Sequence, residues 1–218
     1  MTARFPPVIC PGLNICFSET TVMLDKLRRL ELCMRECAAT FGWNLSGNCL
    51  ACNRGGLLFL LKPELREDSI DYTLTYRFAS FDRIYRILTG SNVFPGTVIG
   101  GGNQPVDTWG LMSVSTAMRT LTGRADRVAT ALAKKLTTPA ENLDFLNYLR
   151  DRAEENDEKL DISCEYVLTC LATENSDAAI DTAAAALSQG DEGGNLYSAV
   201  LTYVGRAKSG GLNQGLYN

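Results

Sequence analysis

Apolar residues recur three or four positions apart between residues 19 and 41. Met23, Leu27, Leu30, Met34, Cys37, Ala38 and Phe41 therefore share one stripe of a helix. Ser18 or Thr20 can accept from the first free amides of that helix, and Gly42 suits the left-handed residue that ends it. A different rhythm follows. Ile70, Tyr72, Leu74, Tyr76 and Phe78 alternate with Asp71, Thr73, Thr75 and Arg77, which is the period-two pattern of a half-buried strand. An apolar run at 57–62 precedes it and is expected to stop before Pro63, since proline cannot donate to a strand ladder. The two runs are expected to pair as an antiparallel hairpin. Phe81, Ile84, Tyr85 and Leu88 then return to helical spacing, closed by Gly90.

Two stretches lack either rhythm. Residues 43–56 read as turn-rich. Residues 91–108 hold Pro95, Gly100-Gly101-Gly102 and Pro105 and read as a long loop, the best boundary between two parts of the chain. From Asp107 onward the pattern is helical. Leu111, Val114, Met118 and Leu121 give one helix, Gly123 punctuates, and Val128, Leu132 and Leu136 give the next. Thr138, Pro139 and Glu141 form a capping box with proline at the first helical position. Further helices are expected near 162–173, 177–188 and 195–207. The expected fold class is α+β, predominantly α: an extended arm at 1–17, a mixed part at 18–106 with a β-hairpin and two helices, a helical bundle at 107–207, and a Gly-rich tail at 208–218.

Charge adds an asymmetry. The net charge is -4, yet residues 110–138 carry Arg119, Arg124, Arg127, Lys134 and Lys135 against Asp126 alone. Residues 139–194 carry fourteen acids against Arg150, Arg152 and Lys159. Three arrangements fit. The two regions neutralise each other within one molecule, or they meet head to tail between copies, or the basic set binds nucleic-acid phosphates. No stacking aromatic is interleaved with the basic set; Trp109 is the nearest.

The chain contains no histidine. That removes Ser–His and Cys–His nucleophile pairs and imidazole metal sites, and with them most general acid–base chemistry near neutral pH. An enzyme is therefore not expected. No apolar run approaches the about 20 residues of a membrane span, and residues 1–18 lack the apolar core of a secretory signal. A cytoplasmic or virion location is expected. Of the eight cysteines, Cys33, Cys37, Cys49 and Cys52 follow the spacing C-x3-C-x11-C-x2-C. Four thiolates can hold structural zinc without imidazole; buried thiols explain the same residues without a cofactor. Gly100-Gly101-Gly102 lacks the lysine and hydroxyl of a phosphate-binding loop, and Glu154, Glu155, Asp157 and Glu158 lack EF-hand spacing. Phe78-Ala79-Ser80-Phe81-Asp82 is similar to a short motif in coat proteins of flexuous filamentous plant viruses. There it lies near the C-terminus, and the match ends at five residues, so it implies nothing further. The expectation is a non-catalytic structural protein that assembles with itself, of viral coat or nucleocapsid type, binding RNA through Arg119, Arg124, Arg127, Lys134 and Lys135. The alternative is a protein-binding adaptor stabilised by a four-cysteine zinc site.

Overall fold

Helix α1 spans Asn14–Phe41. It buries Leu30, Cys33, Met34, Cys37 and Ala38, the same stripe the spacing predicts, and Gly42 follows it at φ 67°. Met23 and Leu27 belong to that stripe by sequence but are about half exposed, at 48% and 46%. The structure is a computed structural model; it describes residues 14–91, 96–107, 109–156, 162–191 and 193–208. The expected arm at 1–17 lies outside these up to Leu13, and its last four residues belong to α1. Of the expected tail, only Lys208 is described, as the last residue of a helix.

Five antiparallel strands follow in simple meander order: β1 (Asn44–Ser46), β2 (Cys49–Arg54), β3 (Leu57–Leu65), β4 (Ser69–Phe78) and β5 (Thr97–Pro105). The expected hairpin is β3 with β4, paired from Leu57↔Phe78 to Leu65↔Ile70. Two further hairpins occupy the stretch that reads as turns. Arg54 faces Leu57 across Gly55 and Gly56, whose φ values of 61° and 84° are what a tight two-residue hairpin loop demands. Ser46 faces Cys49 across Gly47 (φ 59°) and Asn48. Pro63 does not end β3. β2 pairs only as far as Leu61, so beyond that point no strand among the described residues lies on that side of β3, and proline is tolerated there.

The expected loop at 91–108 also changes character. Residues 97–105 form β5, paired with β4 from Ser69↔Pro105 to Tyr76↔Thr97 with one register shift at Leu74/Thr75. Glycine disfavours strands because it adds entropy cost and no packing surface. Here an aromatic supplies that surface: a Cβ on Gly102 would stand 3.3 Å from the Tyr72 ring, so the ring covers the bare backbone.

One face of the sheet carries Leu50, Cys52, Leu57, Phe59, Leu61, Ile70, Leu74 and Tyr76, all buried. Helix α2 (Phe81–Thr89) ends at Gly90 with φ 70°. Helix α3 runs unbroken from Leu111 to Lys135 and packs against α1 and strands β2 to β5. The sequence pattern divides this helix at Gly123. The glycine instead sits against Phe41, whose ring would lie 3.5 Å from an added Cβ. It is a site of close helix–helix approach within a continuous helix. Helix α4 (Pro139–Glu155) has the expected capping box: Thr138 Oγ1 accepts from the Glu141 amide, and the Glu141 carboxylate accepts from the amides of Thr137 and Thr138. Helices α5 (Ser163–Ala172), α6 (Ser176–Gln189) and α7 (Gly194–Lys208) complete the fold. α6 is capped by Asn175 and ends at Gly190. A single buried cluster runs from Leu30 in α1 to Val204 in α7. Among the described residues, no helix is long and apolar enough to cross a membrane.

Because Gly123 is helical and an added methyl meets ordinary contact distances, Gly123→Ala is expected to stabilise the protein by about 0.5–1 kcal/mol. Urea unfolding followed by circular dichroism measures this. A helix break at this position would give the opposite sign.

Candidate nucleic-acid interface

Arg119, Arg124, Arg127, Lys134 and Lys135 all lie on α3, and all are exposed. At about 100° per residue, they spread over roughly 160° of one side of the helix. The buried side is apolar and small: Val114, Ala117, Met118, Leu121, Ala125 and Ala129. The split follows from the sequence, because the aliphatic positions keep helical spacing and the cations fall between them. Lys134 and Lys135 occupy the last turn, where the helix dipole favours positive charge.

Asp126, the one acid in this helix segment, does not offset the cations. Its carboxylate accepts from Trp43 Nε1 at 3.0 Å and is paired with Arg54 Nη2. Arg54 Nη2 also donates to the Phe41 carbonyl at 3.2 Å. The acid is thus consumed by a junction of α1, β2 and α3. None of the five cations forms an ion pair with any acid among the described residues. Direct pairing between α3 and the acidic segment at 139–194 is absent from that set.

Trp109, the nearest aromatic by sequence, is already engaged. Lys26 Nζ lies 4.7 Å from its ring centroid, and its indole N–H donates to the Glu67 carbonyl at 2.7 Å. Trp109 therefore adds no free ring to the basic face. That suits phosphate contact, which carries no sequence information.

The structure does not bring the four candidate zinc ligands together. Cys33 and Cys37 are buried in the α1 stripe. Cys49 and Cys52 lie in β2, three positions apart, so the period of two sends them to opposite faces of the sheet. Cys52 faces the core and Cys49 is half-buried. A C-x2-C half-site needs a turn, and here the hairpin loops flank the pair. Among the described residues, no group of three or more Cys, Asp or Glu side chains is placed to hold a metal ion. Burial pushes the thiols of Cys33 and Cys52 up to about 11 and raises that of Cys37. The Gly100–Gly102 run is part of a strand rather than a phosphate cradle. Glu154 and Glu155 are exposed at the end of α4, while Asp157 and Glu158 lie outside the described residues.

One polar cluster gave no sequence signal. Glu165 is 1% exposed in α5. Its Oε1 accepts from the Phe78 amide at 3.2 Å and from Asn142 Nδ2 at 3.4 Å. Asn142 also donates to Thr169 Oγ1 and accepts from the Tyr76 hydroxyl, both at 2.7 Å. This seam ties β4 to α4 and α5 through the core. Glu165 Oε2 has no hydrogen-bond partner. Desolvation pushes the carboxyl up to about 8, against the opposing pull of the Phe78 amide, Asn142 and Arg77. Asp82 adds to the rise, and Arg77 and Asp82 pair with each other at 3.1 Å. The carboxyl is therefore neutral in the folded protein below that pH. Glu165 sits among Cys164, Val167 and Leu168, and in a run of buried positions an isolated acid reads as one more surface charge.

No protein-family model matches the chain, and neither does any curated protein or solved structure.

Between the ordinary carboxyl value of 4.5 and about 8, the unfolded chain releases the Glu165 proton while the folded chain keeps it. The unfolded state then binds fewer protons, and stability falls as pH rises through that window. Glu165→Gln keeps the Oε1 acceptor and cannot ionise. Relative to wild type, the variant is expected to gain melting temperature at pH 8.5 over pH 4.5. Parallel pH profiles for the two proteins would show that the carboxyl is not buried neutral.

Proposed function

We propose that this chain is a non-catalytic, self-assembling structural protein of coat or nucleocapsid type, and that the exposed face of α3 contacts RNA phosphates. The observation that carries the reading is the one-sided set of Arg119, Arg124, Arg127, Lys134 and Lys135, unpaired among the described residues, with Asp126 withdrawn into a packing junction. A single face of five cations is a weak ligand for a polyanion. Repeated along a polymer, such faces act together, and the effective concentration of each next contact raises the total affinity. Self-assembly supplies that repetition. It is supported by the exposed apolar positions of α1, where Val22, Met23, Leu24, Leu27 and Leu32 are each 46–56% exposed, and by the acidic helical segment available to a neighbouring copy. The absence of histidine agrees with a role in which no proton is moved. On this reading the protein works in the cytoplasm or in a virion.

Fluorescence anisotropy with a labelled single-stranded RNA at graded potassium chloride tests the basic face. The slope of log K against log salt measures the phosphates neutralised, at about 0.7 per contact for single strands. The variant Arg119→Glu/Arg127→Glu/Lys134→Glu is expected to lose about two units of slope, on the same scale. It should lose affinity equally for unrelated sequences. An unchanged slope would refute phosphate binding by α3.

A further inference from the structure

The middle of α1 lies beside a groove of about 500 Å³. Met23, Leu27, Leu30 and Met34 line it from the helix, with Arg28 and Glu31 beside them; Pro63 and Leu65 line it from β3, flanked by the Lys62–Glu64 ion pair. Gly47 and Asn48, at the tip of the β1–β2 hairpin, close one end. This is also where β2 stops pairing, so among the described residues no strand lies against the outer edge of Lys62–Leu65. The groove thus combines a largely apolar helix wall with a short strand edge that has no amide at Pro63 and so accepts more than it donates. An extended segment with free amides satisfies both, by donating to the edge carbonyls while its apolar side chains enter the groove.

The chain contains such a segment. Phe5-Pro6-Pro7-Val8-Ile9-Cys10-Pro11-Gly12-Leu13 precedes α1 and has no charged side chain. The groove wall from Met23 to Met34 extends about 16 Å along the helix at 1.5 Å per residue. Five extended residues cover about the same length at 3.3–3.6 Å each, so the nine uncharged residues more than span it. Val8, Ile9 and Cys10 sit at the centre of the run and keep their amides for pairing. We infer that the groove receives residues 5–13 of a second copy of this chain. A second copy is favoured because the segment joins α1 at Asn14, whereas the groove lies alongside turns further down the helix. To reach its own groove the segment must turn back and run about 13 Å from Asn14 to Met23, which uses about four extended residues beyond the turn and leaves fewer than the five that cover the wall. The inference rests on the proposed self-assembly and supplies its contact.

Disulfide trapping in the full chain tests it, with Cys16→Ser and Cys49→Ser in every sample. One chain carries Leu27→Cys and Cys10→Ser. A second, tagged chain keeps Cys10 and Leu27. Leu27 is 46% exposed, so its replacement spares the core. Mild oxidation of the mixture is expected to give a mixed disulfide between the two chains. The yield should be at least ten times that obtained when Leu187→Cys, a similarly exposed position on α6, replaces Leu27→Cys. A chain carrying both Cys10 and Leu27→Cys that closes internally, with no mixed product, would overturn the inference in favour of the segment covering its own groove. No disulfide above the Leu187→Cys level in either format would overturn it as well. Light scattering of the wild-type chain separates the two claims. Wild type that assembles without this crosslink removes only the groove assignment, whereas wild type that stays monomeric at high concentration and low salt removes self-assembly with it.

Discussion

The pairing of Asp126 with Arg54 and Trp43 fixes both how α3 sits and what it presents. A half-buried carboxylate in this position is held by its donors, and hydrogen bonds to charged groups contribute about 1.5–3 kcal/mol each before solvent screening. With them, it ties the end of α1, the β2–β3 hairpin and the middle of α3 to one point. The same pairing removes the only negative charge from the exposed side of a helix that carries five cations. A structural contact on the inner side thereby produces a surface of single sign on the outer side. Net charge would not reveal this, because the chain as a whole is acidic.

Around that point the fold is built on one face of a meander sheet. Helices bury the side carrying Phe59, Leu61, Leu74 and Tyr76, and the seam of Tyr76, Asn142, Glu165 and Thr169 joins the sheet to the later helices. Buried polar groups of this kind contribute little net stability when satisfied and cost much when not. Their effect is to define one register between sheet and helices. Glu165 stretches this rule, since one of its oxygens has no partner among the described residues and burial favours its protonated form.

Much of the architecture was legible. The period-two run at 70–78, the capping box at Thr138 and the glycine stops at Gly42 and Gly90 each carry a local physical signal, and each appears in the structure. What was not legible lay where a residue's usual meaning was reversed by its neighbours. Gly123 reads as a break and serves as a contact for Phe41. The triple glycine reads as a loop and forms an edge strand covered by Tyr72. Pro63 reads as a stop and sits where, among the described residues, β2 no longer pairs with β3. The short strands β1 and β2 hide because polar and cysteine residues dilute their alternation, although Ser46-Gly47-Asn48 and Arg54-Gly55-Gly56 carry hairpin signals. The basic residues of α3 were found as a set but divided between two helices, and the role of Asp126 depends on partners 72 and 83 residues away. Glu165 left no trace in the sequence, because burial alone gives it meaning.

In the proposed function, charge on α3 and apolar surface on α1 act only when many copies stand together on one polymer. Electron microscopy of the purified full chain, alone and with single-stranded RNA at low salt, examines that directly. Regular filaments or shells that form or lengthen with RNA, and that disperse when salt is raised, are the predicted result. Single separate molecules in both samples, at concentrations where light scattering confirms intact protein, would contradict it.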